Sequence, residues 1–109
     1  MLLEKYYGRT EHSKEVLQMI ETDVNLYCND PYDPDVSYGG RGDSREFHLT
    51  ELLVPEFTDQ INFICYIHDK MYDLIEKKIT GYTKEFADQI FYELLKAEDF
   101  ALAELYFWA

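Results

Sequence analysis

The sequence predicts an all-α fold: a small helical domain with two long antiparallel helices, an N-terminal helix and a Gly/Pro-rich loop. Three observations carry that expectation. Apolar residues recur at helical spacing in three separate stretches. The prolines and glycines concentrate in one stretch, with two of the three prolines and three of the five glycines between Asn29 and Asp43. The chain of 109 residues, 47% hydrophobic and 17% aromatic, has the length and apolar content of one domain with a real core. A disordered chain would pair its charge with few aromatics.

The first helical pattern runs from about His12 to Tyr27. Val16, Leu17, Ile20, Val24 and Tyr27 form its apolar face, and Ser13 or Thr10 is placed to cap it. The loop follows, from Asn29 to Asp43. Glu46 to Leu53 is short and mixed, a brief strand or a turn of helix, and Pro55 closes it. The second helix is expected from about Glu56 to Lys78, with Ile61, Ile64, Cys65, His68, Tyr72 and Ile75 on one stripe. Thr80-Gly81-Tyr82 reads as a turn, and Thr83 as the N-cap of a third helix with Ala87, Ile90, Phe91, Leu94 and Leu95 on its apolar face. A link of roughly five residues favours antiparallel neighbours. The run from Phe100 to Trp108, rich in Leu, Ala and aromatics, is expected to pack back onto the core.

Composition excludes several function classes. With 22 acidic and 10 basic residues the formal net charge is −12. Direct nucleic-acid binding needs clustered Lys and Arg, and docking on an anionic membrane is disfavoured for the same reason. No apolar run approaches the ~20 residues of a transmembrane segment. No secretory signal is visible at the N-terminus, so a cytoplasmic or host-intracellular location is the expectation. Cys28 and Cys65 allow at most one bridge, and free buried thiols are the favoured state. They lack zinc-site spacing. Asp33-x-Asp35-x-Ser37 starts like an EF-hand loop but has Tyr38 and Ser44 where glycine and glutamate are required. Arg41-Gly42-Asp43 is too short a match to carry an integrin role. His12 and His48 are expected on the surface.

The informative string is Cys65-Tyr66-Ile67-His68-Asp69-Lys70-Met71-Tyr72. Adjacent residues on a helix point about 100° apart, so Asp69 faces away from His68. Any carboxylate orienting His68 should come from elsewhere, and Asp88 is a candidate. With the hinge near Gly81, His68 lies 13 residues before it and Asp88 7 after. The offset is about 9 Å along the helix axis, so the pairing requires a staggered or tilted crossing or an earlier turn.

Residues 38 to 91 resemble the phospholipase A2 superfamily. Its active-site helix reads D-x-x-D-x-x-C-x-x-H-D-x-x-Y, and this chain has Asp59, Asn62, Cys65, His68, Asp69 and Tyr72 in that register, departing at Asn62. Tyr38-Gly39-Gly40-Arg41-Gly42 is similar to the family's calcium loop, Y-x-G-x-G, and Asp88 sits where its histidine-orienting aspartate would. The small size and few cysteines look more like the shortened domain of parvoviral capsid proteins, or phage and bacterial relatives, than like the secreted enzymes. Residues 1–37 and 92–109 lie outside the resemblance. It implies a calcium-dependent phospholipid ester hydrolase. His68 would activate water, Asp88 and Tyr72 would orient it, and calcium would sit between the carbonyls of Tyr38, Gly40 and Gly42 and the Asp69 carboxylate. The alternative is a non-enzymatic acidic inhibitor on the same scaffold, whose charge imitates nucleic-acid phosphates toward a basic protein partner.

Overall fold

The computed structural model describes residues 2–38 and 59–98. These residues form a 3₁₀ helix, Leu2–Tyr6, and three α-helices: α1 (Lys14–Tyr27), α2 (Asp59–Glu76) and α3 (Lys84–Glu98). No strand occurs among the described residues. The glycine-rich part of the loop, the Glu46–Leu53 stretch, Pro55 and the Phe100–Trp108 tail lie outside the described residues.

α2 is the central element and packs against both α1 and the antiparallel α3. Burial tracks this position: every residue from Ile61 to Ile67 is buried, Asn62 included. A helix covered nearly all round carries apolar residues nearly all round. Beyond Ile67 the buried seam narrows to Met71 and Leu74, both fully buried. The seam is therefore rotated from the expected stripe. Ile67, Met71 and Leu74 hold the core, while His68, Tyr72 and Ile75 lie at its half-buried edge.

Local chemistry sets the helix ends. Ser13 Oγ accepts from the Val16 amide at 3.4 Å and Thr83 Oγ1 from the Phe86 amide at 3.0 Å, so each is the N-cap of its helix. α1 starts at Lys14 rather than His12 for that reason. α2 stops at Glu76, two residues before the expected Lys78. There the Ile79 amide donates to the Leu74 carbonyl (3.2 Å) and the Lys78 amide to Ile75 (3.1 Å). This is a Schellman closure, with Lys78 at φ +58° in the left-handed position that glycine usually fills. The connection to α3 is consequently seven residues, 77–83, not five.

The 3₁₀ helix buries Leu3 and Tyr6 completely, as its three-residue repeat places both on one side. Gly8, at φ +84°, turns the chain back toward α1. Tyr6 Oη donates to Glu98 Oε2 (2.8 Å), and Lys5 Nζ lies 3.0 Å from the same carboxylate. Arg9 donates to the Ala97 carbonyl. Burial, and Glu98 beside it, push the Tyr6 hydroxyl far above its usual pKa. The start of the chain is thereby clasped to the end of α3.

Candidate functional site

His68 and Asp88 meet across α2 and α3: His68 Nε2 lies 2.8 Å from Asp88 Oδ1. The early stop of α2 makes this possible. His68 is eight residues before Glu76, and Asp88 four after Lys84, which reduces the offset to about 6 Å at 1.5 Å per residue. The side chains and the seven-residue link span the rest. Asp88 is an acceptor when ionised, so Nε2 carries the proton in the neutral ring and Nδ1 keeps its lone pair.

Tyr72, one turn beyond His68 on the same helix, donates its hydroxyl to the same Asp88 oxygen at 2.7 Å. Burial and the neighbouring Asp88 carboxylate push the Tyr72 pKa up to about 12, so it remains a donor at neutral pH. Phe91, three residues beyond Asp88, stacks on the imidazole with ring centroids 4.3 Å apart and planes at 23°. The ring is thus fixed by a carboxylate at one nitrogen and an aromatic face on one side. His68 keeps 24% side-chain exposure and Asp88 54%, so the pair opens to solvent rather than lying in hydrocarbon. An ion pair this exposed contributes little to stability.

Asp69 points elsewhere, as the helical repeat requires. It is exposed and makes no ion pair among the described residues. The protein mass on its other side still raises its pKa above the ordinary carboxylate value, partly offset by His68 and Lys70 nearby. Asp69 shares a face of α2 with Asn62 and Tyr66, at i, i+4 and i+7.

The loop is stitched along that face. Tyr66 Oη donates to the Asp30 carbonyl (2.8 Å), and Lys70 pairs with the Asp30 carboxylate. Asn62 holds the next turn with both ends of its amide. Nδ2 donates to the Val36 carbonyl at 2.6 Å, and Oδ1 accepts from the Tyr38 amide at 2.7 Å. Asp33 closes that turn, accepting the Asp35 amide at 2.9 Å. Tyr38 packs its ring on Tyr66, 4.9 Å between centroids. The chain therefore arrives at Tyr38 on the face of α2 that carries Asp69.

Of the residues expected to form a site, the structure brings together His68, Asp88 and Tyr72, and seats Tyr38 on the Asp69 face. Gly40 and Gly42 lie outside the described residues. No cluster of three or more His, Cys, Asp or Glu side chains is placed to hold a metal among the described residues. Two participants were missed in the sequence. Phe91 reads only as core, although its i, i+3 spacing from Asp88 puts both on one face. Asn62 reads as a departure from a motif, and nothing in the sequence shows that it tethers the loop.

His12 corrects the expectation of a surface histidine. Its Nδ1 lies 3.0 Å from Glu93 Oε2, with 19% side-chain exposure, and its ring meets the Phe86 edge at 5.1 Å. Glu93 is buried and also accepts from the Glu11 amide and the Gln89 side chain, both at 2.8 Å. Cys28 and Cys65 are buried thiols with no disulfide between them. No helix among the described residues is long and apolar enough to cross a membrane. Comparison with family models, curated proteins and solved structures finds no match to this chain.

Proposed function

We propose that this protein is a calcium-dependent phospholipid ester hydrolase with His68 as general base. One observation carries the reading. A partly buried imidazole with one edge open to solvent is held at Nε2 by Asp88 (2.8 Å), which Tyr72 holds in turn (2.7 Å), while the adjacent Asp69 faces another side of the helix. A surface this wet gives such a network little stabilising value. It does supply what ester hydrolysis requires, a base held in one tautomer.

His68 Nδ1 takes a proton from water as the water oxygen bonds to the ester carbonyl carbon. The tetrahedral intermediate then breaks its bond to the alcohol oxygen, and His68 returns the proton to that leaving oxygen. The products are a fatty acid and a lysophospholipid. Asp88 stabilises the transient imidazolium, and Tyr72 and Phe91 keep Asp88 and the ring in place.

The chemistry of Asp69 supports a hard divalent cation as the partner. Asp69 is a carboxylate without an ion-pair partner among the described residues, and backbone carbonyls are the other ligands that calcium prefers. The Asp69 carboxylate and the carbonyls of Tyr38, Gly40 and Gly42 would hold it. Asn62 and Asp69 are about 10 Å apart along the axis, and four extended residues span about 13 Å. A chain leaving Tyr38 can therefore reach Asp69 within the glycine stretch. Bound calcium would polarise the ester carbonyl and engage the lipid phosphate.

The test is fatty-acid release from phospholipid vesicles with calcium or with a chelator. Wild-type protein should hydrolyse only with calcium, and His68→Ala should lose about 10²–10⁴ of the rate. Hydrolysis that survives both His68→Ala and chelation, or its absence on every headgroup class, overturns the proposal. The net charge of −12 supports a second reading, an acidic inhibitor of a basic protein partner. That reading expects salt-sensitive capture of the partner and no calcium binding through Asp69.

A further inference from the structure

Lys84, the first residue of α3, stands one turn before Asp88 on the same face of the helix. Its ammonium lies 5.9 Å from the centre of the Tyr72 ring, which is itself 4.9 Å from the imidazole of His68. A cation at that separation from a tyrosine is attracted to the ring face, weakly at an exposed site. Lys84 thus stands beside the His68–Asp88–Tyr72 network and is free to move toward a stronger partner.

Stability does not account for a lysine there. Lys5, Lys70 and Lys77 each pair with a carboxylate. Lys84 makes no ion pair among the described residues, although Asp88 is four residues on and Glu85 is next to it. Lysine ahead of aspartate at this spacing is the weaker order of such a pair, and the first turn of a helix disfavours a cation. Glu85 is close enough to add to the rise in the Tyr72 pKa, yet it leaves the ammonium unpaired.

We propose that Lys84 sets the substrate class of the hydrolytic site: its ammonium pairs with the phosphate of phospholipids whose headgroup carries no cation, so that anionic phospholipids are taken in preference to choline lipids. The inference rests on the hydrolase reading. An attacking water has the ester carbonyl carbon about 3 Å beyond it. The phosphorus is five bonds farther, roughly 6 Å. An ammonium two ring spacings from the imidazole is thus at the radius of the phosphate and headgroup rather than of the ester. Lysine binds phosphate as a point charge, in competition with any cation on the headgroup. In a choline lipid the quaternary ammonium already attends the phosphate and repels Lys84, and in a glycerol lipid nothing does. The phosphate has two free oxygens, so one can meet calcium and the other Lys84. The charge of −12 on the whole chain repels an anionic bilayer, but salt screens that repulsion over about 8 Å, whereas the pairing with Lys84 is made at contact.

The test is hydrolysis of soluble dihexanoyl lipids with calcium, below the concentration at which they form micelles, so that repulsion from a charged bilayer plays no part. The wild-type kcat/KM should favour dihexanoyl-phosphatidylglycerol over dihexanoyl-phosphatidylcholine by about threefold to fivefold, the size of an exposed ion pair. Lys84→Gln should lose that preference through a higher KM for the glycerol lipid, Lys84→Arg should keep it, and Lys84→Glu should invert it. Lys84 is exposed, so none of the three should compromise folding. A second readout needs no turnover. In the calcium-free protein the NMR signals of the Tyr72 ring should shift saturably with dihexanoyl-phosphatidylglycerol, less with the choline lipid, and not in Lys84→Gln. Equal kcat/KM for the two lipids, or a preference that Lys84→Gln retains, overturns the inference and leaves the hydrolase reading standing. A Lys84-dependent response of Tyr72 without hydrolysis of either lipid overturns the hydrolase reading and supports the phosphate contact. Neither hydrolysis nor a Tyr72 response overturns both.

Discussion

At the scale of single residues, Asn62 shows how one side chain can set up a site without taking part in its chemistry. It is 5% exposed in a helix whose other buried positions nearby are apolar. Its two short hydrogen bonds, to Val36 and Tyr38, satisfy the amide and pin the loop just before the glycines. Asn62→Ala should cost about 2 kcal/mol in urea unfolding, because both backbone groups lose a buried partner. It should also weaken calcium binding, while the side-chain NMR signals of His68, which is held from the other face of α2, stay as in wild type. The role was unreadable beforehand, since the Asn62 partners lie 24 and 26 residues away in sequence. The Asp88 role was legible for the opposite reason. A helix hinge brings 68 and 88 near each other by simple counting. What counting could not supply was the register, because it ran the helix to Lys78 and placed the hinge at Gly81.

At the scale of elements, that register depends on Lys78. A lysine in the left-handed conformation costs about 1–2 kcal/mol relative to a residue free to adopt it. Lys78→Gly should therefore stabilise the protein by about 1 kcal/mol, read as a higher urea midpoint with unchanged slope. If the glycine instead destabilises, the Schellman closure is not what ends α2. The three helices themselves were visible in apolar spacing and in the caps at Ser13 and Thr83, since both signals are local. The rotation of the α2 seam was not. Periodicity locates a stripe, but which edge of it faces α1 and which faces α3 is decided by packing. Turning that seam puts His68 at the edge of the core instead of within it, and so makes the ring accessible to water.

At the scale of the whole molecule, charge opposes folding. Twelve excess negative charges repel in the compact state, and the exposed ion pairs, such as Lys5–Glu98 and Lys77–Asp73, return at most about 1 kcal/mol each. Added sodium chloride screens both, but the repulsion is summed over many pairs. The melting temperature should rise with salt, and relief of about 1 kcal/mol corresponds to ~4–8 °C in a domain of this size. A midpoint that falls with salt would mean that the ion pairs outweigh the repulsion. The Tyr6, Lys5 and Arg9 contacts to Ala97 and Glu98 have a consequence of a different kind. They hold the first and the last of the described helical elements side by side. A covalent staple joining positions 5 and 98 would therefore fasten the 3₁₀ helix to α3 ten residues, about 15 Å along the helix, beyond the aspartate that faces the histidine.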